Sequence, residues 1–254
     1  MPNDSVEAVR SYYRAILPFY EDESEDRGDL AFWRGLVAER KPECILELGA
    51  GTGRVTAALR GLAPVVAIDL SPEMLERAAD RLQRQEKERP FAAELIVADM
   101  RRLALGRRFD LIVAASDPFS HIIHRRERQT ALRAVAKHLQ PGGRLVIEGL
   151  YRAERKRTEV PERSVNGIGV RELWEPIGSN DCWRARYVYR RGVDHGNTEQ
   201  VNAEFVARSW KPLEAKGLLA GCGLDLREMW GDFDRRPFTP EAERIILVAG
   251  VSEA

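Results

Sequence analysis

The chain has 254 residues, 44% of them hydrophobic, enough for the full core of one large domain or of a domain carrying an insertion. Forty Lys and Arg balance forty Asp and Glu, so no general electrostatic pull towards nucleic acid or an anionic membrane is built in. The three scattered cysteines, Cys44, Cys182 and Cys222, indicate neither a disulfide framework nor a zinc site. With no signal peptide and no apolar run near ~18 residues, a cytoplasmic protein without a membrane partner is expected.

In chain order, Val6, Val9, Tyr12, Tyr13, Ile16 and Leu17 mark one face of a helix that Pro18 is expected to break. The acidic run Glu21 to Asp26 then reads as a solvated loop, and a second helix runs from Asp29 to Glu39. Cys44-Ile45-Leu46 is a short buried strand entering Glu47-Leu48-Gly49-Ala50-Gly51-Thr52-Gly53, with a helix opening at Arg54. A second strand, Pro64 to Asp69, ends in a carboxylate twenty residues after Gly49, the arrangement that grips a nucleoside at the end of a parallel sheet. The fit to a dinucleotide G-x-G-x-x-G is poor, because Arg54 stands where the third glycine would fall, and Glu47 would repel a pyrophosphate. A carboxylate there suits a nucleoside carrying an ammonium or a sulfonium.

Ser71-Pro72-Glu73-Met74 starts a helix with an N-cap, a proline at the first position and an acid in the first turn, and Leu75, Ala78, Ala79 and Leu82 give it an apolar face. Strands follow at Glu94 to Ala98, ending in Asp99-Met100, and at Phe109 to Ala114, ending in Ser116-Asp117-Pro118-Phe119. A fifth, Arg144 to Glu148, follows the turn Leu139 to Gly143. Tyr151 to Pro161 reads as a charged, mobile crossing. Alternating segments at 169–174, 183–189 and 199–206 read as a small antiparallel layer, followed by a helix at 212–219 and strands at 224–230 and 244–251.

Residues 44 to 150 resemble the core of class I S-adenosylmethionine-dependent methyltransferases. The resemblance rests on ELGAGTG (Glu47 to Gly53), AIDLSPEML (Ala67 to Leu75), ADM (Ala98 to Met100), FDLIV (Phe109 to Val113) and LQPGGRLVIE (Leu139 to Glu148). It implies an α/β Rossmann-like fold, a seven-stranded, mostly parallel sheet with helices on both faces, plus a small antiparallel inserted layer and N-terminal lid helices. The expected division is lid helices in 1–40, the cofactor-binding core in 41–150, an inserted lid in 151–208 and the remainder of the core sheet in 209–254.

The resemblance also implies S-adenosyl-L-methionine as cofactor, S-adenosyl-L-homocysteine as its product, and roles residue by residue. Gly49, Ala50 and Gly51 would run beneath the methionine part, with Glu47 acting at second hand. Asp69, with Leu70 and Ser116 beside the ligand, would hold the ribose. Met74 would lie near the adenine face, Asp99 would accept from the adenine amino group, and the Met100 backbone would meet a ring nitrogen.

The ending, with Trp230 to Asp234 before the last strand, is similar to a branch that methylates small metabolites, including natural-product and aminosugar N-methyltransferases. A small-molecule acceptor, nitrogen favoured over oxygen, is therefore expected, and no nucleic-acid partner. Ser116-Asp117-Pro118-Phe119 partly resembles the [N/D/S]-P-P-[Y/F/W] acceptor loop of amino-group methyltransferases, although Asp117 replaces the first proline. The alternative is a turn that caps the next helix, with Phe119 as core. Tyr12 and Tyr20 are candidates for facing the cofactor or acceptor from the lid, or are ordinary packing. His121 is the best-placed side chain to take a proton. No metal is expected, since His121 and His124 lack a third ligand. Exposed strand edges allow a homo-oligomer. A nucleic-acid or protein methyltransferase, an O-methyltransferase and a non-catalytic cofactor-binding subunit stand as alternatives.

Overall fold

A computed structural model describes residues 6–25, 27–84, 91–178, 181–192 and 198–252. Seven strands form the main sheet: β1 (Ile45–Leu48), β2 (Val65–Asp69), β3 (Ala93–Val97), β4 (Phe109–Ala114), β5 (Leu139–Leu150), β10 (Leu224–Trp230) and β11 (Arg244–Val251). Their order is β10-β11-β5-β4-β1-β2-β3. The ladders β3-β2-β1-β4-β5 are parallel, and β11 runs antiparallel to both β5 and β10. The chain builds outward from β1 through β2 to β3 and then returns to place β4 on the other side of β1. That reversal opens a crevice at the carboxyl ends of β1 and β4, where ligands bind in open α/β sheets.

The strands read as near-continuous apolar runs because the sheet is covered on both faces. In β4, Ile112 and Ala114 point into one cluster with Leu46, Leu48, Phe119 and Trp210, while Leu111 and Val113 point into the other with Trp33, Val55 and Ile246. The covering helices are α1 (Val6–Ser24), α2 (Leu30–Arg40), α3 (Arg54–Leu59), α4 (Pro72–Arg84), α5 (Arg125–Lys137) and α6 (Pro212–Ala220). On α4 the buried face is Met74, Leu75, Ala78 and Leu82; Ala79, expected on it, is exposed.

A second, antiparallel sheet consists of β6 (Thr158–Val165), β7 (Ile168–Ile177), β8 (Cys182–Gly192) and β9 (Thr198–Arg208), in that order. Its strand β6 takes in the end of the stretch expected to be a mobile crossing, because Thr158 to Val165 finds its ladder partner in β7. Tyr12, Ile16 and Phe19 of α1 pack on Ile168, Val170, Tyr189 and Ala203 of this sheet.

Three local expectations change. Helix α1 continues through Pro18 to Ser24. An internal proline costs about 3 kcal/mol, and the burial of Ile16 and Phe19, 1% and 0% exposed, on either side of it keeps the helix intact. The acidic run is largely fastened rather than free. Glu21 and Glu25 pair with Arg81, Glu23 with Arg163 and the Tyr189 hydroxyl, and Asp22 with Arg191; Asp26 lies outside the described residues. These partners stand far away along the chain, so no local pattern announces them. Finally, Leu139 to Gly143 belongs to β5 rather than to a turn before it: the register against β4 shifts between Phe109 and Leu111, and Gly142 adopts φ +79°.

Candidate functional site

The glycine ribbon after β1 is set by three left-handed residues, Gly49 at φ +71°, Gly51 at +54° and Gly53 at +75°. A Cβ on Gly49 would stand 2.5 Å from Cβ of Pro118, and one on Gly53 would stand 2.9 Å from Cβ of Ala78. The ribbon is tied to the tip of β2. The Gly49 and Ala50 N–H groups both donate to the Ile68 carbonyl, and Gly51 N–H donates to Asp69 Oδ2 at 2.8 Å. Asp69 Oδ1 accepts from Ser71 N–H at 2.8 Å. Burial holds the Asp69 carboxyl above its ordinary value, opposed by the N–H groups of Ser71, Gly51 and Leu70. A carboxylate offers about four lone-pair sites, so Asp69 retains acceptor capacity for further donors.

Beneath the ribbon, Glu47 accepts from the Thr56 hydroxyl at 2.5 Å, and burial pushes its carboxyl up to about 8. Glu47 and Ala50 do not line the cavity described below; Ala50 packs in the core beside Val55. Arg54 forms a buried, two-pronged pair with Asp29, at 2.6 and 2.8 Å, and Trp33 Nε1 donates to the same carboxylate. That pair clamps α2 onto the start of α3. Sequence spacing does not signal it.

At the tip of β3, Asp99 caps a 3-10 turn over Met100–Arg102 by accepting from Arg101 N–H. After β4, Ser116 and Asp117 are both left-handed, at φ 59° and 58°. Ser116 N–H donates to Glu148 Oε2 at 2.6 Å, and Glu148 Oε1 accepts from Arg27 at 3.0 Å. The N–H and hydroxyl of Ser120 both donate to the Asp117 carbonyl. Two successive non-glycine residues in this conformation are strained, which places stored strain at the mouth of the crevice.

Helix α1 covers the crevice. Its residues divide into two stripes: Val6, Val9, Tyr13 and Tyr20 face the cavity, while Tyr12, Ile16 and Phe19 face the second sheet. The cavity so formed gathers Gly49 and Gly51, then Asp69, Leu70, Ser71 and Met74, then Asp99, Met100 and Arg101, then Ser116, Pro118, His121 and Ile122, under Arg10 and the α1 stripe. Met74 is both core and wall, at 1% exposed. The Tyr13 hydroxyl lies 2.8 Å from His121 Nε2. Burial pushes His121 down to about 4, so the ring is neutral at ordinary pH, and among the described residues its Nδ1 has no hydrogen-bond partner. The Tyr20 hydroxyl would meet a Cβ on Gly51 at 3.4 Å, so this ring closes over the ribbon.

Besides Glu47 and Ala50, three expected catalytic residues lie off the cavity wall. Tyr12 packs on Phe205 with ring centroids 4.7 Å apart, because a one-residue step turns a helical side chain by about 100°. Phe119 is fully buried against Trp210, as the capping-turn alternative has it. Asp117 is off the cavity wall; burial pushes its carboxyl up to about 8, with the Arg128 charge opposing. Conversely, Arg10, Tyr13 and Arg101 line the cavity although none was named as a site residue, and Pro118 of the expected acceptor loop lines it too. For Tyr13 the signal was present: Val6, Val9, Tyr13 and Tyr20 are spaced by 3, 4 and 7, one helical face, separate from the 12-16-19 face.

A mostly parallel sheet with this strand order, a glycine ribbon and acidic strand tips around a roofed crevice defines a Rossmann-like α/β domain. Residues 45–143 match the family model described as the methyltransferase domain. The chain is 26% identical over 206 residues to the cypemycin N-terminal methyltransferase of a Streptomyces species, covering 80% of this chain and 81% of that protein. It is 30% identical over 131 residues to the dTDP-3-amino-3,4,6-trideoxy-alpha-D-glucopyranose N,N-dimethyltransferase of Streptomyces venezuelae, a match spanning 50% of this chain and 51% of that protein. The crystal structure of an S-adenosylmethionine-dependent methyltransferase from Clostridium acetobutylicum shares the fold, with TM-score 0.79, 20% identity, and 95% and 99% of the two chains covered. Among the described residues no group of three or more His, Cys, Asp or Glu is placed to hold a metal ion, and no helix is long and apolar enough to cross a membrane.

Proposed function

We propose that the cavity under α1 binds S-adenosylmethionine and a small amine, and that the enzyme methylates the amine nitrogen. The observation that carries this is the meeting, in one cavity, of the glycine ribbon, the Asp69 and Asp99 carboxylates and, across from them, the Tyr13–His121 pair. The residues fit such a ligand: Gly49 and Gly51 offer backbone that no Cβ shields, and Asp69 keeps lone pairs for two ribose hydroxyls. Tyr13 and Tyr20 present aromatic rings suited to a sulfonium. The N-methyltransferases among the relatives, acting on a peptide N-terminus and on an aminosugar by their names, support nitrogen as acceptor.

The bound sulfonium supplies a methyl carbon for in-line displacement: the nitrogen lone pair forms the new N–C bond while the S–C bond breaks with its electrons to sulfur. The protein's part is to align the nitrogen and exclude water, which together can account for most of the acceleration. Helix α1 closes the site to solvent. His121, which burial holds neutral, and the Tyr13 hydroxyl bonded to it orient the uncharged amine, and the proton of the methylated ammonium leaves to solvent. Calorimetric titration with S-adenosylhomocysteine, followed by a methylation assay on a panel of primary and secondary amines, tests the reading. Nucleoside binding with N-methylated product is the expected result, and a protein indifferent to the nucleoside overturns it.

A further inference from the structure

We infer that Arg152 is a specificity-determining residue: it takes the anionic group, a carboxylate or a phosphate, of an acceptor whose amine lies at the Tyr13–His121 pair. This rests on the reading of that pair as the acceptor end of the cavity. Arg152 follows β5 directly, and its guanidinium carbon lies 4.8 Å from the ring centroids of both Trp174 and Trp183 on the inner face of the second sheet. Among the described residues the guanidinium has no ion-pair partner, and its Nε is buried without a hydrogen bond. The nearby carboxylates are already engaged. Glu172 accepts from Arg163 at 2.9 Å and from Trp174 Nε1 at 3.2 Å, and Asp181 pairs at 3.6 Å with Lys211, whose Nζ also donates to the Arg152 carbonyl. Burial pushes the Arg152 guanidinium down from its ordinary value, with Tyr187 and Glu172 opposing from a distance. A half-buried cation of this kind lacks an anion.

A path of rings joins this cation to the proposed acceptor end. Helix α1 covers the half of the inner face that carries Ile168, Val170, Tyr189 and Ala203, while the other half, with Trp174, Trp183, Ala185 and Ala207, meets Leu150 of β5. Tyr187 and Phe205 pack against both halves, half-buried, with their rings stacked 5.9 Å apart. Phe205 stands 5.1 Å from the His121 ring on one side and 5.8 Å from Trp174 on the other. A single ring therefore separates His121 from the indole beneath Arg152. An acceptor laid along this strip places its nitrogen at Tyr13 and His121 and its far end on the guanidinium. The planar fork matches the two oxygens of a carboxylate or a phosphate, and stacking on two indoles holds that plane ready. A neutral tail would cover the charge without pairing it, so the same group disfavours uncharged acceptors.

The test is calorimetry on the full chain, first with S-adenosylhomocysteine and then, with that nucleoside present, with 8-aminooctanoate, 8-aminooctyl phosphate and 8-aminooctanol. Wild-type protein should bind at least one anionic amine about tenfold or more above the alcohol, the effect of one charge-assisted hydrogen-bonded pair, and kcat/KM for methylation should follow the same order. Whether the carboxylate or the phosphate gains more identifies the anion that the acceptor carries. Arg152→Gln should bring all three amines within about threefold by weakening the anionic ones, with the affinities for the alcohol and for S-adenosylhomocysteine unchanged. Arg152→Lys, a point charge without the flat stack, should narrow the preference part of the way and provides the reading should the Gln variant not fold. Equal affinity of the wild type for all three amines, no binding of any of them, or a preference undiminished in whichever Arg152 variant folds overturns the inference while S-adenosylhomocysteine binding leaves the nucleoside reading standing. Wild-type protein indifferent to S-adenosylhomocysteine overturns that reading and the inference with it.

Discussion

The Tyr13 hydroxyl sits 2.8 Å from Nε2 of His121, joining the roof helix α1 to the segment that follows β4. Burial disfavours protonation of this imidazole, so it serves as a neutral hydrogen-bonding group that orients an uncharged amine. His121→Asn and Tyr13→Phe should each lower turnover of an amine by about tenfold, the loss of one orienting hydrogen bond. Affinity for S-adenosylhomocysteine should stay within about twofold, because neither group is needed to seat the nucleoside. Equal losses in turnover and nucleoside affinity would assign the pair to cofactor binding instead.

Asp69 holds Gly51 and Ser71 by their N–H groups, and in the proposed function its remaining lone pairs take the ligand. Asp69→Ala should weaken S-adenosylhomocysteine binding by at least about 100-fold, the loss of two hydrogen bonds to a charged group. Titration calorimetry reads this directly. Asp69→Asn keeps one acceptor oxygen and should fall between the two.

Gly49 approaches Pro118 so closely that a methyl group has no room, and its φ of +71° disfavours any side chain. Gly49→Ala should cost about 2–4 kcal/mol from the clash and the left-handed strain together. For a chain of this size that is a drop of about 4–16 °C in melting temperature. Scanning calorimetry of the free protein checks it, and an unchanged melting temperature would mean that the β4 loop yields readily.

Glu47 contributes a pH dependence whose sign is fixed. Burial raises its folded pKa from 4.5 to about 8, so its contribution is complete below 4.5 and is lost as pH rises through 8. Relative to Glu47→Gln, wild-type protein should lose stability progressively across that window, by up to roughly 5 kcal/mol at the alkaline end. His121 acts at the other end: its folded pKa is lowered from 6.5 to about 4, so its contribution is complete above 6.5 and is lost as pH falls through 4. Urea titrations between pH 4 and 9 on the wild type, Glu47→Gln and His121→Gln separate the two flanks. A difference between wild type and Glu47→Gln that does not vary with pH would show that Glu47 is ionised throughout.

The sequence by itself determined the parts of this protein whose physics is local. Strand runs such as Phe109 to Ala114, the glycines that must turn left-handed, the acid at the tip of β2 and the capped start of α4 are each written in a few adjacent residues, and they suffice for the sheet and the floor of the crevice. The tertiary structure alone decided what closes it. Pro18 reads locally as a helix breaker, yet packing of Ile16 and Phe19 on the second sheet carries α1 past it; the acids of the 21–25 run look solvated until Arg81, Arg163 and Arg191 arrive from distant strands and helices. Which of Tyr12 and Tyr13 meets the cavity depends on how α1 is rolled between two layers, and that roll is fixed by long-range burial and ion pairing. Periodicity records that a helix has faces; only the surfaces packed against it decide which face does the chemistry.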